Sequence, residues 1–181
     1  MKGKFLGDSY DIVKRLWADL LLETAPLYAA PVFYKDRVLR QAFTQLTRIR
    51  MMDEGPSGTF SVLLDPDTGV SLTNKHPPGH VTPAYIADQF TNPGVKFVVT
   101  YDQSYRREKP KPKRQQMQEK MTEMIKRHGC PSFYYVSHAS FLFAAKSQQD
   151  LRELRTIIEK AGVPACKLEK LRTARDASRT S

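Results

Sequence analysis

The stretch Phe60-Ser61-Val62-Leu63-Leu64-Asp65-Pro66-Asp67-Thr68-Gly69 predicts the fold of this chain better than any other part of it. A mostly apolar run suited to a buried strand leads directly into two carboxylates, a proline and a glycine, which are typical of a loop. Two further segments share this arrangement: residues 95–100 lead into Tyr101-Asp102-Gln103-Ser104, and residues 133–136 lead into Ser137-His138-Ala139-Ser140. Buried strands that end in polar loops are typical of α/β sheets.

Helical patterns separate these strands. Helices are predicted after Asp8, Asp36, Thr82 and Ser147, which can cap a first helical turn, and before Gly129. The second of them is expected to extend through residue 49. Further strands are predicted at residues 27–34, 132–137, 140–145 and 165–168, and a loop at residues 65–81.

This alternation predicts an α/β fold of the three-layer, Rossmann-like kind. The sheet is expected to be mainly parallel, with helices on both faces and a C-terminal hairpin. Residues 1–171 are expected to form a single α/β domain, and residues 172–181 a flexible polar tail.

The composition indicates a globular chain. It has 181 residues, of which 40% are hydrophobic and 27% charged. No apolar run approaches the roughly 20 residues that span a bilayer, and Asp8 interrupts the N-terminus before a signal peptide core can form. Cys130 and Cys166 have no metal-binding spacing. We therefore expect a reduced, cytoplasmic protein with no membrane partner.

The charge of the chain favours a polyanionic partner. The net charge is +10 and the pI about 9.7. One concentration of basic residues follows the strand predicted at residues 95–100 and its polar end. The expected role of these residues is contact with the phosphates of DNA or RNA. Its members are Arg106, Arg107, Lys109, Lys111, Lys113 and Arg114. The alternative is a solvated loop with no partner.

Polar residues that follow the strands predict a site at the carboxyl ends of the sheet, where open α/β sheets bind ligands. Asp65, Asp67 and Asp102 are candidate ligands for Mg²⁺ or Mn²⁺, and His138 a candidate acid or base. The neighbouring candidates are Gln103, Ser104, Ser137 and Ser140. The alternative is structural: aspartates in ordinary turns and a hydrogen-bonded core histidine.

A second group of charged residues opens the first helix. Asp8, Asp11 and Lys14 lie within Gly7-Asp8-Ser9-Tyr10-Asp11-Ile12-Val13-Lys14, and helical spacing places Asp11 and Lys14 on one face. They are further site candidates. The alternative is a helix-surface ion pair.

These blocks resemble an uncharacterised group of bacterial and mobile-element proteins. The blocks are Gly7 to Asp11, Leu64 to Gly69, Asp102 to Ser104 and Tyr135 to Phe141. More remotely, the layout is similar to that of Rossmann-type adenine methyltransferases. Those enzymes have an Asp-Pro motif after a strand and a hairpin at the end of the sheet. One group of them also begins with a helix that carries an Asp and a Lys, as Asp11 and Lys14 do here. The chain lacks their glycine-rich turn after the first strand, so S-adenosylmethionine is not an expected cofactor.

Three functions remain open from the sequence. The first is a metal-dependent phosphodiesterase or nuclease with an acidic site. The second is an unusual or degenerate protein of the methyltransferase kind. The third is a non-catalytic module that binds nucleic acid or a protein partner.

Overall fold

The computed structural model describes residues 6–73, 78–105 and 111–172. The α-helices are α1 (Ser9–Leu21), α2 (Arg37–Thr47), α3 (Pro83–Asp88), α4 (Lys113–His128) and α5 (Gln148–Lys160). The strands are β1 (Leu27–Ala29), β2 (Arg50–Met51), β3 (Phe60–Leu64), β4 (Gly69–Val70), β5 (His80–Val81), β6 (Val95–Tyr101), β7 (Ser132–Tyr135), β8 (Phe141–Ala145) and β9 (Leu168–Lys170).

The main sheet has seven strands in the order β2-β1-β3-β6-β8-β7-β9. The strands β2, β1, β3 and β6 are parallel, whereas β8 is antiparallel to both of its neighbours. The strands β7 and β8 form the predicted hairpin, with β8 inserted next to β6. Therefore β1, β3, β6 and β7 all end at one edge, which we call the carboxyl edge. The strands β4 and β5 form a separate parallel ribbon.

Helices cover both faces of the main sheet. The helix α1 packs with α2 and α5 on one face, and α3 packs with α4 on the other. On the first face, the Trp17 ring lies 5.0 Å from that of Tyr135 and 5.1 Å from that of Phe143. On the second face, α4 buries Met117, Met121 and Met124, which form the methionine stripe of that helix. The predicted three-layer α/β fold is confirmed.

The predicted helix starts are also confirmed. The side chains of Asp8, Asp36, Thr82 and Ser147 each accept a backbone hydrogen bond from the first turn of the following helix. These bonds satisfy amide groups that otherwise have no partner within the helix. None of the helices within the described residues combines the length and the apolar composition that a membrane span requires.

Several predicted boundaries were wrong. The first strand ends at Ala29, because the chain turns into a short 3₁₀ helix that begins at Pro31. The second helix ends at Thr47, since Arg48 adopts a left-handed conformation with φ of 64°. The predicted loop 65–81 contains β4 and β5, and the last strand starts at Leu168 rather than at residue 165.

Candidate functional site

The two aspartates that follow the central strands lie at the carboxyl edge but on opposite faces of the sheet. Leu64 of β3 pairs with Thr100 of β6, so Asp65 is level with Tyr101, and Asp102 lies one residue further on. Successive side chains of an extended chain point to opposite faces. Asp65 accordingly contacts α1, and Asp102 contacts α4.

Asp65 belongs to a buried network centred on Lys14 of α1. Lys14 Nζ donates to Asp65 Oδ2 at 2.8 Å and to Asp11 Oδ1 at 3.0 Å. Tyr34 Oη donates to the same Asp65 oxygen at 2.8 Å, and Gly7 N donates to Asp11 Oδ2 at 2.8 Å. The four side chains are buried, so Asp11 and Lys14 do not form a helix-surface pair.

The electrostatics of this network favour the charged lysine. Burial alone lowers the pKa of Lys14, but the charges and hydrogen bonds of Asp65 and Asp11 outweigh it, so the pKa of Lys14 is raised. Burial also raises the pKa of Tyr34 well above its usual 10.0, and the Asp65 charge adds to the shift. Tyr34 therefore stays protonated and acts as a hydrogen-bond donor.

Asp102 forms a second buried network on the other face. Its Oδ2 accepts from Lys120 Nζ and from Tyr134 Oη, each at 2.7 Å. Its Oδ1 accepts from Val70 N at 2.9 Å, Ser104 N at 3.0 Å and Ser104 Oγ at 2.7 Å. A buried charge is tolerated when it is paired and hydrogen bonded, and both conditions hold here.

Gly69 allows the loop after Asp65 to pass directly over Asp102. Its φ is +135°, and a Cβ atom there would lie 2.2 Å from Asp102 Oδ1 and 2.8 Å from Asp102 Cα. Only glycine permits this close approach. The Asp65-to-Gly69 turn thus begins in one network and ends on the other.

A pocket of about 440 Å³ opens beside the Asp102 network. Lys111, Lys120, Ser104 and Tyr105 line it, together with the apolar side chains of Val70 and Leu72. Its other polar lining residues are Thr68, Ser71, Thr73, His80, Gln103, Gln116 and Glu119. The volume lies within the range of small-molecule sites, about 300 to 1,000 Å³, and the lining is rich in hydrogen-bonding groups.

The basic segment predicted to bind nucleic acid leads into α4 beside this pocket. Lys111 pairs with Glu119 at 2.5 Å, and Arg114 pairs with Glu169 at 3.0 Å. Lys113 Nζ donates to the backbone oxygen of Ser137 and lies 4.6 Å from the centroid of the Tyr105 ring. The remaining predicted members, Arg106, Arg107 and Lys109, lie outside the described residues.

The β7–β8 turn carries the other polar candidates. Ser137 Oγ donates to Ala139 O, and Ser140 Oγ donates to Ser137 O. Gln103 Nε2 donates to His138 O and so ties this turn to the end of β6. His138 is exposed, with its Nε2 3.3 Å from Ser9 Oγ, and is not a core histidine.

The predicted Mg²⁺ or Mn²⁺ ligands do not converge on one point. Asp65 and Asp102 face opposite sides of the sheet, each is bonded to a lysine, and Asp67 is exposed. Within residues 6–73, 78–105 and 111–172, no group of three or more His, Cys, Asp or Glu side chains lies close enough to hold a metal ion. These residues do not fit a shared cation as they stand, and the metal site stays a prediction.

Lys120, the lysine partner of Asp102, is not among the site residues predicted from the sequence. Lys120 lies inside the methionine stripe of α4, within a helical turn of Met117 and Met124. A lysine at a core-facing position of a helix is a signal that it has a buried partner. Tyr34 and Tyr134, which donate to Asp65 and Asp102, have no comparable signal in the sequence.

Comparison with models of protein families, with curated proteins and with solved structures gave no match to this chain. The resemblances drawn from its sequence blocks therefore stay predictions.

Proposed function

We propose that this chain binds nucleic acid at the carboxyl edge of its sheet as a non-catalytic module. In this proposal Lys113 contacts a backbone phosphate, and the neighbouring pocket accepts part of a nucleotide. The observation that carries it is the placement of two lysines around Tyr105, next to a pocket of about 440 Å³.

The charges around Tyr105 favour an anion. Lys113 Nζ lies 4.6 Å and Lys120 Nζ 4.7 Å from the centroid of the Tyr105 ring. Lys120 is neutralised by Asp102, whereas no carboxylate of the described residues lies within 4.0 Å of Lys113 Nζ. Burial lowers the pKa of Lys113, Asp102 opposes this, and the charge of Lys120 lowers the pKa further. A phosphate at this point would stabilise the charged form of Lys113.

The pocket suits the polar part of a nucleotide. Gln103 and Gln116 bring amide groups to its wall, and such groups can both donate to and accept from a base edge. Tyr105 contributes an aromatic ring and Leu72 an aliphatic side chain to the same wall, which is less polar there than at the two glutamines. The site lies at the carboxyl ends of parallel strands, where α/β folds commonly bind ligands.

A non-catalytic role explains why the Asp65 and Asp102 carboxylates are already hydrogen bonded within the protein. Asp65 and Asp102 each hold a buried lysine, and each also accepts from a buried tyrosine. A divalent cation would have to displace an ammonium group at either position. The adenine methyltransferase alternative is also less well supported, because Pro31 to Phe33 form a 3₁₀ helix directly after β1.

Fluorescence anisotropy with a labelled RNA or DNA strand of about 12 nucleotides tests the proposal. Binding should weaken as salt is raised from about 50 to 200 mM, and Lys113→Ala should reduce the salt slope by about 0.7 to 0.9. Lys126→Ala is the matched control, because Lys126 is exposed at the far end of the same helix. Absence of binding at low salt, or equal effects of the two substitutions, would refute the proposal.

A further inference from the structure

We infer that the bound nucleic acid is single-stranded and that one of its bases stacks on an aromatic platform formed by Tyr10 and His138. This inference rests on the proposed function and extends it to a class of ligand. Tyr101 supports the platform from below. The three rings come from α1, from β6 and from the β7–β8 turn, and they meet at the carboxyl edge.

The platform joins an exposed ring to a ring that packs toward the core. The ring centroids of Tyr10 and His138 lie 5.7 Å apart, with an angle of 36° between the ring planes. Tyr10 contacts Tyr101 edge to face at 5.4 Å, and Tyr101 in turn contacts Phe141 of the core at 5.6 Å. His138 is exposed and Tyr10 half-buried, so part of each side chain remains accessible to solvent.

Hydrogen bonds hold the platform in place before any ligand arrives. Gln103 Nε2 donates to the backbone oxygen of His138, and Ser9 Oγ lies 3.3 Å from the Nε2 atom of the His138 ring. Ser140 and Ser137 brace the same turn through their hydroxyl groups. A surface that is already ordered loses little conformational entropy when a base stacks on it.

The platform adjoins the proposed phosphate contact. Lys113 Nζ donates to the backbone oxygen of Ser137 at 2.9 Å, and Ser137 is the residue before His138. A nucleic-acid strand with one phosphate at Lys113 therefore brings the bases next to that phosphate to the platform. Both faces of a base are covered within a duplex, whereas an unpaired base can stack on an aromatic ring.

Anisotropy with three labelled ligands tests the inference: a single strand of about 12 nucleotides, the same strand with abasic sites, and the matching duplex. The single strand should bind most tightly. His138→Ala should weaken its binding by about 5-fold or more, with no effect on the abasic strand. His138→Phe should restore affinity, because it keeps a ring and removes the nitrogen atoms.

The controls separate this inference from the proposed function. His128→Ala removes a histidine at the opposite end of α4 from Lys113 and should leave the affinity for the single strand unchanged. If no ligand binds at low salt, the proposed function fails and the platform fails with it. If the single strand binds, but as tightly as the abasic strand or the duplex, or if His138→Ala has no effect, the platform alone is refuted.

Discussion

Replacing Lys14 by methionine tests how strongly the Asp65 network stabilises the fold. The Lys14 side chain is only 5% exposed, and its Nζ lies 3.0 Å from Asp11 Oδ1 and 2.8 Å from Asp65 Oδ2. Methionine fills a similar volume but has no charge. The variant therefore leaves two buried carboxylates close together without a counter-charge.

The size of the effect follows from these distances. With an effective dielectric constant of about 20, each lysine–carboxylate pair gains about 5 to 6 kcal/mol of Coulomb energy. The desolvation of three charges offsets much of this gain. Removal of one partner of a buried pair costs about 3 to 5 kcal/mol in the free energy of unfolding. For a chain of this size that loss lowers the unfolding temperature by about 6 to 20 °C.

Urea and thermal unfolding at neutral pH measure this loss. Arg15→Met is the matched control on the same helix, because the Arg15–Asp19 pair is exposed and its atoms are 4.0 Å apart. It should change stability by less than about 0.5 kcal/mol. The triple variant Lys14→Met, Asp11→Asn, Asp65→Asn should regain at least half of the loss, since it buries no unpaired charge.

Two results would refute this reasoning. The first is a Lys14→Met protein as stable as Arg15→Met, which would mean that the network contributes no net stability. The second is a triple variant less stable than Lys14→Met alone. In that case the loss would come from packing around the lysine chain and not from unpaired carboxylates.

Three further predictions concern other parts of the carboxyl edge. Gly69→Ala should lower stability by about 2 kcal/mol or more in urea unfolding, because its Cβ atom meets Asp102; an unchanged midpoint would contradict this. Burial raises the pKa of Tyr34 and Tyr134 above 10.0, so only the unfolded chain loses these protons near that pH. Stability should therefore hold below about pH 10 and fall above it, by up to about 1.4 kcal/mol per pH unit for each group, and their phenolate absorbance should appear only on unfolding. Mn²⁺ should leave the unfolding temperature unchanged, since Asp65 is bonded to lysine; a rise that Asp65→Asn abolishes would instead support a metal-dependent phosphodiesterase.

The sequence predicted the architecture well where local signals were strong. The strand Phe60–Leu64 was predicted with its correct bounds, because an apolar run meets a proline-containing turn there. The start of α1 was predicted from Asp8, whose side chain does cap that helix. Asp65 and Asp102 were expected at the carboxyl ends of strands, and they follow β3 and β6, which are neighbours in the sheet.

The geometry of the site depended on information that local patterns do not contain. Whether Asp65 and Asp102 share a face depends on the register between β3 and β6, and long-range packing sets that register. The same packing selects Lys14 and Lys120 as partners from 29 lysines and arginines. The short ribbon of β4 and β5 was missed because two-residue strands have no periodicity to detect.

The one-residue offset between Asp65 and Asp102 affects how the stability of this chain responds to substitutions in the two networks. Because the sheet lies between the two networks, and because the hydrogen bonds described for them include no shared group, each face pairs its own lysine with its own carboxylates. Losses of stability from substitutions in one network should add to those from the other. Natural variants could therefore exchange one lysine–carboxylate pair for apolar residues while the other stays intact.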